Sequence, residues 1–187
     1  MIYLIGGSSH VGKTYLAQKL MEKTNIPYTS LDHLKMGFIR TGKTDLTVED
    51  DYEMRYFLWP FAAEMVKTAI ENHQNMILEG CYIPGEWKDY FEPEYLKEIK
   101  CVFIVMSEKY ITENFDKLVD YACVIEQRLD DDPDKDRLIQ CSKDFEEDAI
   151  KHGTTMIKIE DKYDAEEILK KIIDAPVAGD DQRASEA

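Results

Sequence analysis

Residues 7–14, "GSSHVGKT", fit the pattern G-x-x-x-x-G-K-[ST], and residues 37–44, "GFIRTGKT", fit it a second time. The pattern has mechanical content. Glycines let consecutive backbone N–H groups point into one concavity that cradles β- and γ-phosphates. The lysine reaches round them, and the Ser/Thr hydroxyl ligates Mg²⁺. The helix that follows adds its positive N-terminal end. Such a loop therefore needs a strand before it and a helix after it.

The first copy meets both conditions. "MIYLI" (1–5) is a short apolar run that ends at glycine, and "KTYLAQKLMEK" (13–23) puts Leu16, Ala17, Leu20 and Met21 on one helical face. Gly7, Ser8, Ser9, His10, Val11, Gly12, Lys13 and Thr14 form the predicted phosphate loop, with His10 serving as spacing. The second copy follows "DHLKM", which is no strand, and precedes the acidic "DLTVEDD". Aligning 1–14 with 31–44 matches little outside the motif, so the chain is not a duplicated unit.

Four more strands are predicted at 26–31, 75–80, 100–106 and 154–159. Helical patterns cover about 13–23, 48–73, 108–128, 137–151 and 164–174, with a C-cap at Gly153. Residues 33–46 show neither periodicity and read as a loop or a short helix, and Pro60 predicts a kink or break. Strands alternating with helices give one α/β domain over 1–174 with a parallel, doubly wound sheet. The tail 175–187 has little to bury and reads as disordered.

Doubly wound sheets bind ligands beyond the carboxyl ends of their strands. Those ends carry Gly6-Gly7, Asp32, Glu79 and Ser107. Asp32 could take the proton of a substrate hydroxyl or hold Mg²⁺ through water, or it could cap a following helical turn. Glu79 closes an apolar strand, where a carboxylate is costly unless it has work such as ordering the metal's water. Gly80, Cys81 and Tyr82 line the pocket beyond it.

Phosphoryl transfer needs cations besides the lysine. The arginines are Arg40, Arg55, Arg128, Arg137 and Arg183. Arg128 and Arg137 flank "LDDDPDKD", where a lid over 128–137 would lie, and Arg183 is in the tail. Arg40 and Lys43, in the second "GKT" segment after Asp32, suit an anionic acceptor. No N-K-x-D motif follows a later strand, which argues against a GTPase.

The 187 residues are 44% hydrophobic and 33% charged, which is globular composition. A net charge of −15 argues against nucleic-acid backbones and anionic membranes as partners. No stretch approaches the ~20 apolar residues of a membrane span, and the opening run is too short for a signal peptide. Cys81, Cys101, Cys123 and Cys141 form no C-x-x-C pair, so no zinc or redox site is expected and the cytoplasm is the expected compartment.

"GGSSHVGKT", Asp32 and "ILEG" together resemble the small P-loop kinases of the nucleoside-monophosphate-kinase-like group, over about residues 1–174. Within that group, "ILEGCYIPG" is similar to the "EG…PG" stretch of 2-phosphoglycerate kinases; zeta-toxin-like and adenylate-kinase-like members share parts of the pattern. The resemblance implies a three-layer P-loop NTPase fold with sheet order 2-3-1-4-5, ATP and Mg²⁺. It also implies an acceptor bound between the segment after strand two and the loop after strand three. The "DGFPR" stretch and arginine-rich lid of adenylate kinases are lacking, which weighs against a nucleotide acceptor.

The expectation is thus an ATP-dependent kinase, monomeric or homodimeric, for a small anionic metabolite resembling 2-phosphoglycerate. Lys13, Asp32, Glu79 and Arg128 would be catalytic, with Thr14, Asp32 and Glu79 at the metal and Arg137 at the nucleotide. Asp32, Arg40, Lys43, Gly80 and Tyr82 would meet the acceptor. The alternatives are a slow ATPase acting as a switch or interaction module, an adenylate-type kinase, and a toxin-like kinase of nucleotide sugars.

Overall fold

Strand β1 (Ile2–Gly7) is buried along its whole length, and its side chains alternate between two cores. Ile2 and Leu4 face one apolar cluster while Tyr3 and Ile5 face another, as expected for a parallel strand covered on both sides. Removing a side chain such as Leu4 from this setting costs about 3 kcal/mol. The structure is a computed structural model, and it describes residues 1–121 and 134–179.

From β1 the chain enters α1 (Lys13–Thr24), β2 (Tyr28–Ser30), α2 (Leu31–Arg40) and α3 (Asp51–Glu71). Strand β3 (Met76–Glu79) leads through a 3₁₀ turn at Trp87–Tyr90 to α4 (Pro93–Leu96) and β4 (Ile99–Met106). Then come α5 (Glu108–Tyr121), α6 (Lys135–His152), β5 (Thr155–Ile159) and α7 (Ala165–Asp174). The five strands lie in the order β2-β3-β1-β4-β5, and every pairing is parallel. This is the α/β architecture and strand order expected from the sequence.

One core joins α3 and the Phe145–Ala149 part of α6 to Leu4, Leu78 and Phe103; the other joins α1 and α7 to Ile5, Ile77 and Ile104. Ser142 stitches α6 to the sheet: its hydroxyl donates to Met106 O at 2.8 Å and accepts from Met106 N at 2.8 Å. Among the described residues, no helix is long and apolar enough to cross a membrane.

The structure differs from the sequence-based expectation in four places. Strand β2 stops at Ser30, whose side chain caps α2 by accepting from Asp32 N at 3.3 Å. Asp32 is therefore in the first turn of a helix rather than at a strand end. Of residues 33–46, read as loop or short helix, 33–40 belong to α2, which begins two residues earlier at Leu31. Helix α3 runs unbroken through Pro60. Pro60 and Tyr56, one turn before it, are both exposed, so the carbonyl that loses its N–H partner is on the solvent side. Residues 175–179 add to the core, with Ala175 and Ala178 buried. The rest of the tail, including Arg183, lies outside the described residues, as do Cys123, Arg128 and most of the lid-like segment 128–137.

Candidate active site

The loop from Gly7 to Thr14 joins the carboxyl end of β1 to the start of α1. Two of its glycines are required. Gly7 has φ +128°, and a Cβ there would stand 2.0 Å from Ile104 O on β4. Gly12, the N-cap of α1, has φ +80°, and a Cβ would meet the Tyr163 hydroxyl at 2.7 Å. Between them His10 is left-handed at φ 61°, with its Nδ1 3.0 Å from Ser9 Oγ. Lys13 Nζ folds over the loop and donates to Ser8 O at 2.8 Å, with Ser8 itself buried. Val11 anchors the loop in the core.

Helix α1 has no side-chain cap and no acidic residue in its first turn. Every other α-helix among the described residues has an Asp or Glu in that turn. The positive end of the α1 dipole thus carries no acidic residue of its own helix, an arrangement suited to phosphate.

Sheet register brings Glu79 to this loop. Glu79 is paired with Ile5 of β1 and Ser30 of β2, at the carboxyl end of β3. It is 1% exposed, and Thr14 Oγ1 donates to its Oε1 at 3.2 Å. A hydroxyl and a carboxylate meeting at the end of a phosphate loop are hard oxygen donors, which Mg²⁺ prefers. Among the described residues, no group of three or more His, Cys, Asp or Glu could hold a metal alone.

Next to Glu79, Gly80 is buried against Leu31 at the start of α2. Tyr82, 2% exposed, sends its hydroxyl toward Asp32 Oδ1 at 3.3 Å and Asp51 Oδ1 at 3.1 Å. Lys35 Nζ donates to the same hydroxyl at 2.7 Å, to Asp51 Oδ1 at 2.9 Å and to Val48 O at 3.2 Å. Burial pushes the Tyr82 hydroxyl far above its ordinary range, and the neighbouring Cys81, Asp32 and Asp51 push the same way. Burial also pushes the Cys81 thiol up, to about 11, outweighing the opposing pull of Lys13.

Asp32, Glu79, Gly80, Tyr82 and the phosphate loop are thus gathered at the carboxyl ends of β1, β2 and β3. Arg40 and Lys43 are not part of that cluster. Both are exposed, and Arg40 lies at the opposite end of α2 from Asp32, about 12 Å of helix rise away. Gly37, which opens the second "GKT" match, sits inside α2. Arg137 comes from the first turn of α6 and approaches Asp51 Oδ2 at 3.8 Å. Arg128 lies outside the described residues.

Three residues of the cluster were not singled out from the sequence. Lys35 occupies a core position of a helix that was not predicted at full length. Asp51 and Arg55 are one turn apart on α3, a spacing that puts them on one face. The Arg55 guanidinium lies over the Phe145 ring at 4.5 Å and pairs with Asp148 at 3.2 Å. Its Nε is buried and has no hydrogen-bond partner among the described residues.

Solved structures share this architecture. A gluconokinase from Sinorhizobium meliloti superposes with a TM-score of 0.55 at 16% identity, over 98% of this chain and 93% of its own. A shikimate kinase from Bacteroides thetaiotaomicron superposes at 0.53 with 17% identity, over 92% and 96%. A sugar kinase from Janibacter superposes at 0.50 with 15% identity, over 95% and 96%. At these identities the likeness is one of fold: a P-loop α/β domain with the sheet order seen here. No protein-family model and no curated protein matches the chain.

Proposed function

We propose that the protein is an ATP-dependent kinase that phosphorylates a hydroxyl group of a small hydroxylated acid. The observation that carries this is the meeting of three parts at one sheet edge. These are a phosphate loop backed by a helix with no acidic residue in its own first turn, the Thr14–Glu79 oxygen pair, and a carboxylate, Asp32, held by the Tyr82 hydroxyl. A loop for phosphate alone would serve a binding module. A carboxylate on the acceptor side gives the site a group that can receive a hydroxyl proton.

In this reading Lys13 and the loop amides hold the β- and γ-phosphates, as charge-assisted donors do. Bound Mg²⁺ would neutralise charge developing on the transferred group, held by Thr14 and, through water, by Glu79 and Asp32. Asp32 orients the acceptor hydroxyl and takes its proton as the new O–P bond forms. Arg55, whose buried Nε lacks a hydrogen-bond partner among the described residues, and Arg137, beside Asp51, are the arginines that would grip the acid. Arg40 and Lys43 sit further out and would act in approach rather than in grip. The free thiols Cys81, Cys101 and Cys141 suit a reducing cytoplasm.

The acceptor class draws support from the fold neighbours, which include a gluconokinase and a shikimate kinase. The "EGCYIPG" stretch adds 2-phosphoglycerate, by its resemblance. The test is a panel of gluconate, shikimate, 2-phosphoglycerate and AMP with ATP and Mg²⁺, read by mass spectrometry for a phosphorylated product. A phosphorylated acid supports the proposal. Phosphorylated AMP would replace it with an adenylate-type kinase, and ADP with no phosphorylated acceptor would replace it with an ATPase switch.

A further inference from the structure

Lys35 is 6% exposed, and a buried ammonium is costly unless its donors are used. All three of its protons have an acceptor: Asp51 Oδ1, the Tyr82 hydroxyl oxygen and Val48 O. Because Lys35 donates into the Tyr82 oxygen, the single Tyr82 proton must point elsewhere. Two carboxylate oxygens stand within its reach, Asp32 Oδ1 at 3.3 Å and Asp51 Oδ1 at 3.1 Å. Nζ stands off the hydroxyl end of the Tyr82 ring, 5.1 Å from its centroid, so the hydroxyl is the point of contact.

We infer that Lys35 and Tyr82 are positioning residues that orient the Asp32 carboxylate. The inference rests on the kinase reading for its consequence, but its geometry stands without it. While Asp32 is a carboxylate, the Tyr82 hydroxyl donates to it and turns one oxygen away from the acceptor. When Asp32 takes the acceptor's hydroxyl proton, the acceptor oxygen bonds to phosphorus and the bond from phosphorus to the ADP oxygen breaks.

Lys35 has a second effect. Through Val48 it ties α2 to the segment that joins α2 to α3, and through Asp51 to the first residue of α3. The same cation thus fixes Asp32's donor and the chain that flanks the acceptor.

Two measurements decide the inference. In the first, Asp32→Ala, Tyr82→Phe and the double variant are unfolded in urea. The double variant is expected to lose less stability than the sum of the single losses, because the two side chains share one hydrogen bond. Additive losses would overturn the inference whatever the protein's activity.

The second is steady-state kinetics on the wild type's best acceptor. Tyr82→Phe is expected to lower kcat about tenfold while both KM values stay within about twofold. Lys35→Met lowers kcat and raises the acceptor KM, and adding Asp51→Asn, which removes the stranded charge, recovers part of kcat. A Tyr82→Phe variant at wild-type kcat, or a Lys35→Met loss that Asp51→Asn deepens, would overturn the inference. A wild type that transfers phosphate to no acceptor counts against the kinase reading instead, and the unfolding cycle still decides the Tyr82–Asp32 contact.

Discussion

Thr14 Oγ1 donates to Glu79 Oε1 at 3.2 Å, across 65 residues of sequence. Thr14 is the second residue of α1, and Glu79 is the last residue of β3. The contact exists because β3 pairs directly with β1 and ends level with Ile5. It gives the buried carboxylate a role that its cost demands.

Glu79→Gln keeps the shape and the hydrogen-bond acceptor while removing the charge. It is expected to lower kcat by about 100-fold, as loss of a transition-state charge contact does. ATP affinity, measured by calorimetry, should fall by no more than a few-fold.

The cations should sort by position. Arg55→Met is expected to raise the acceptor KM at least about tenfold, the cost of a lost charge-assisted bond, and to leave the KM for ATP nearly unchanged. Arg40→Ala combined with Lys43→Ala is expected to move the acceptor KM within about twofold. Steady-state kinetics on the two variants checks this, and the reverse order would put the acid on the outer segment.

The fold was legible where apolar runs are uninterrupted. The strand and helix order and the first phosphate loop all followed from periodicity and from the demand for a strand before and a helix after. Helix α2 was legible only as one of two options, loop or short helix, and its inner stripe says why. Leu31, Leu34 and Phe38 are at helical spacing, but the fourth position of the stripe is Lys35. A buried lysine reads as a break in an apolar pattern unless Asp51 and Tyr82, 16 and 47 residues away, are known to meet it. The same blindness hid Arg55, whose partner Asp148 is 93 residues away. The second "GKT" match fails as a phosphate loop by that same demand, because no strand precedes it and Gly37 sits inside α2.

Cys81 should be a poor nucleophile despite its place beside Lys13. A thiol held near 11 stays protonated at pH 8, and its thiolate fraction there is about 100-fold or more below that of an ordinary cysteine. The sign follows from the raised value: reactivity grows only as pH climbs toward 11. Iodoacetamide labelling at pH 8, followed by peptide mass spectrometry, should find Cys81 modified far more slowly than a model peptide thiol.

Gly12→Ala tests the backbone of the loop. It places a side chain at φ +80° and against the Tyr163 hydroxyl. A destabilisation of about 2 kcal/mol, seen as a fall in Tm of roughly 5 °C, is expected by calorimetry. ATP binding should be lost with it.

The central claim is phosphoryl transfer at the Gly7–Thr14 loop, and Lys13→Ala tests it most directly. Wild type and variant are incubated with γ-labelled ATP, Mg²⁺ and the hydroxylated acids, after circular dichroism has shown both folded. The account predicts label on an acid with the wild type and none with Lys13→Ala. Label confined to free phosphate in the wild type, or undiminished transfer by the variant, would contradict it.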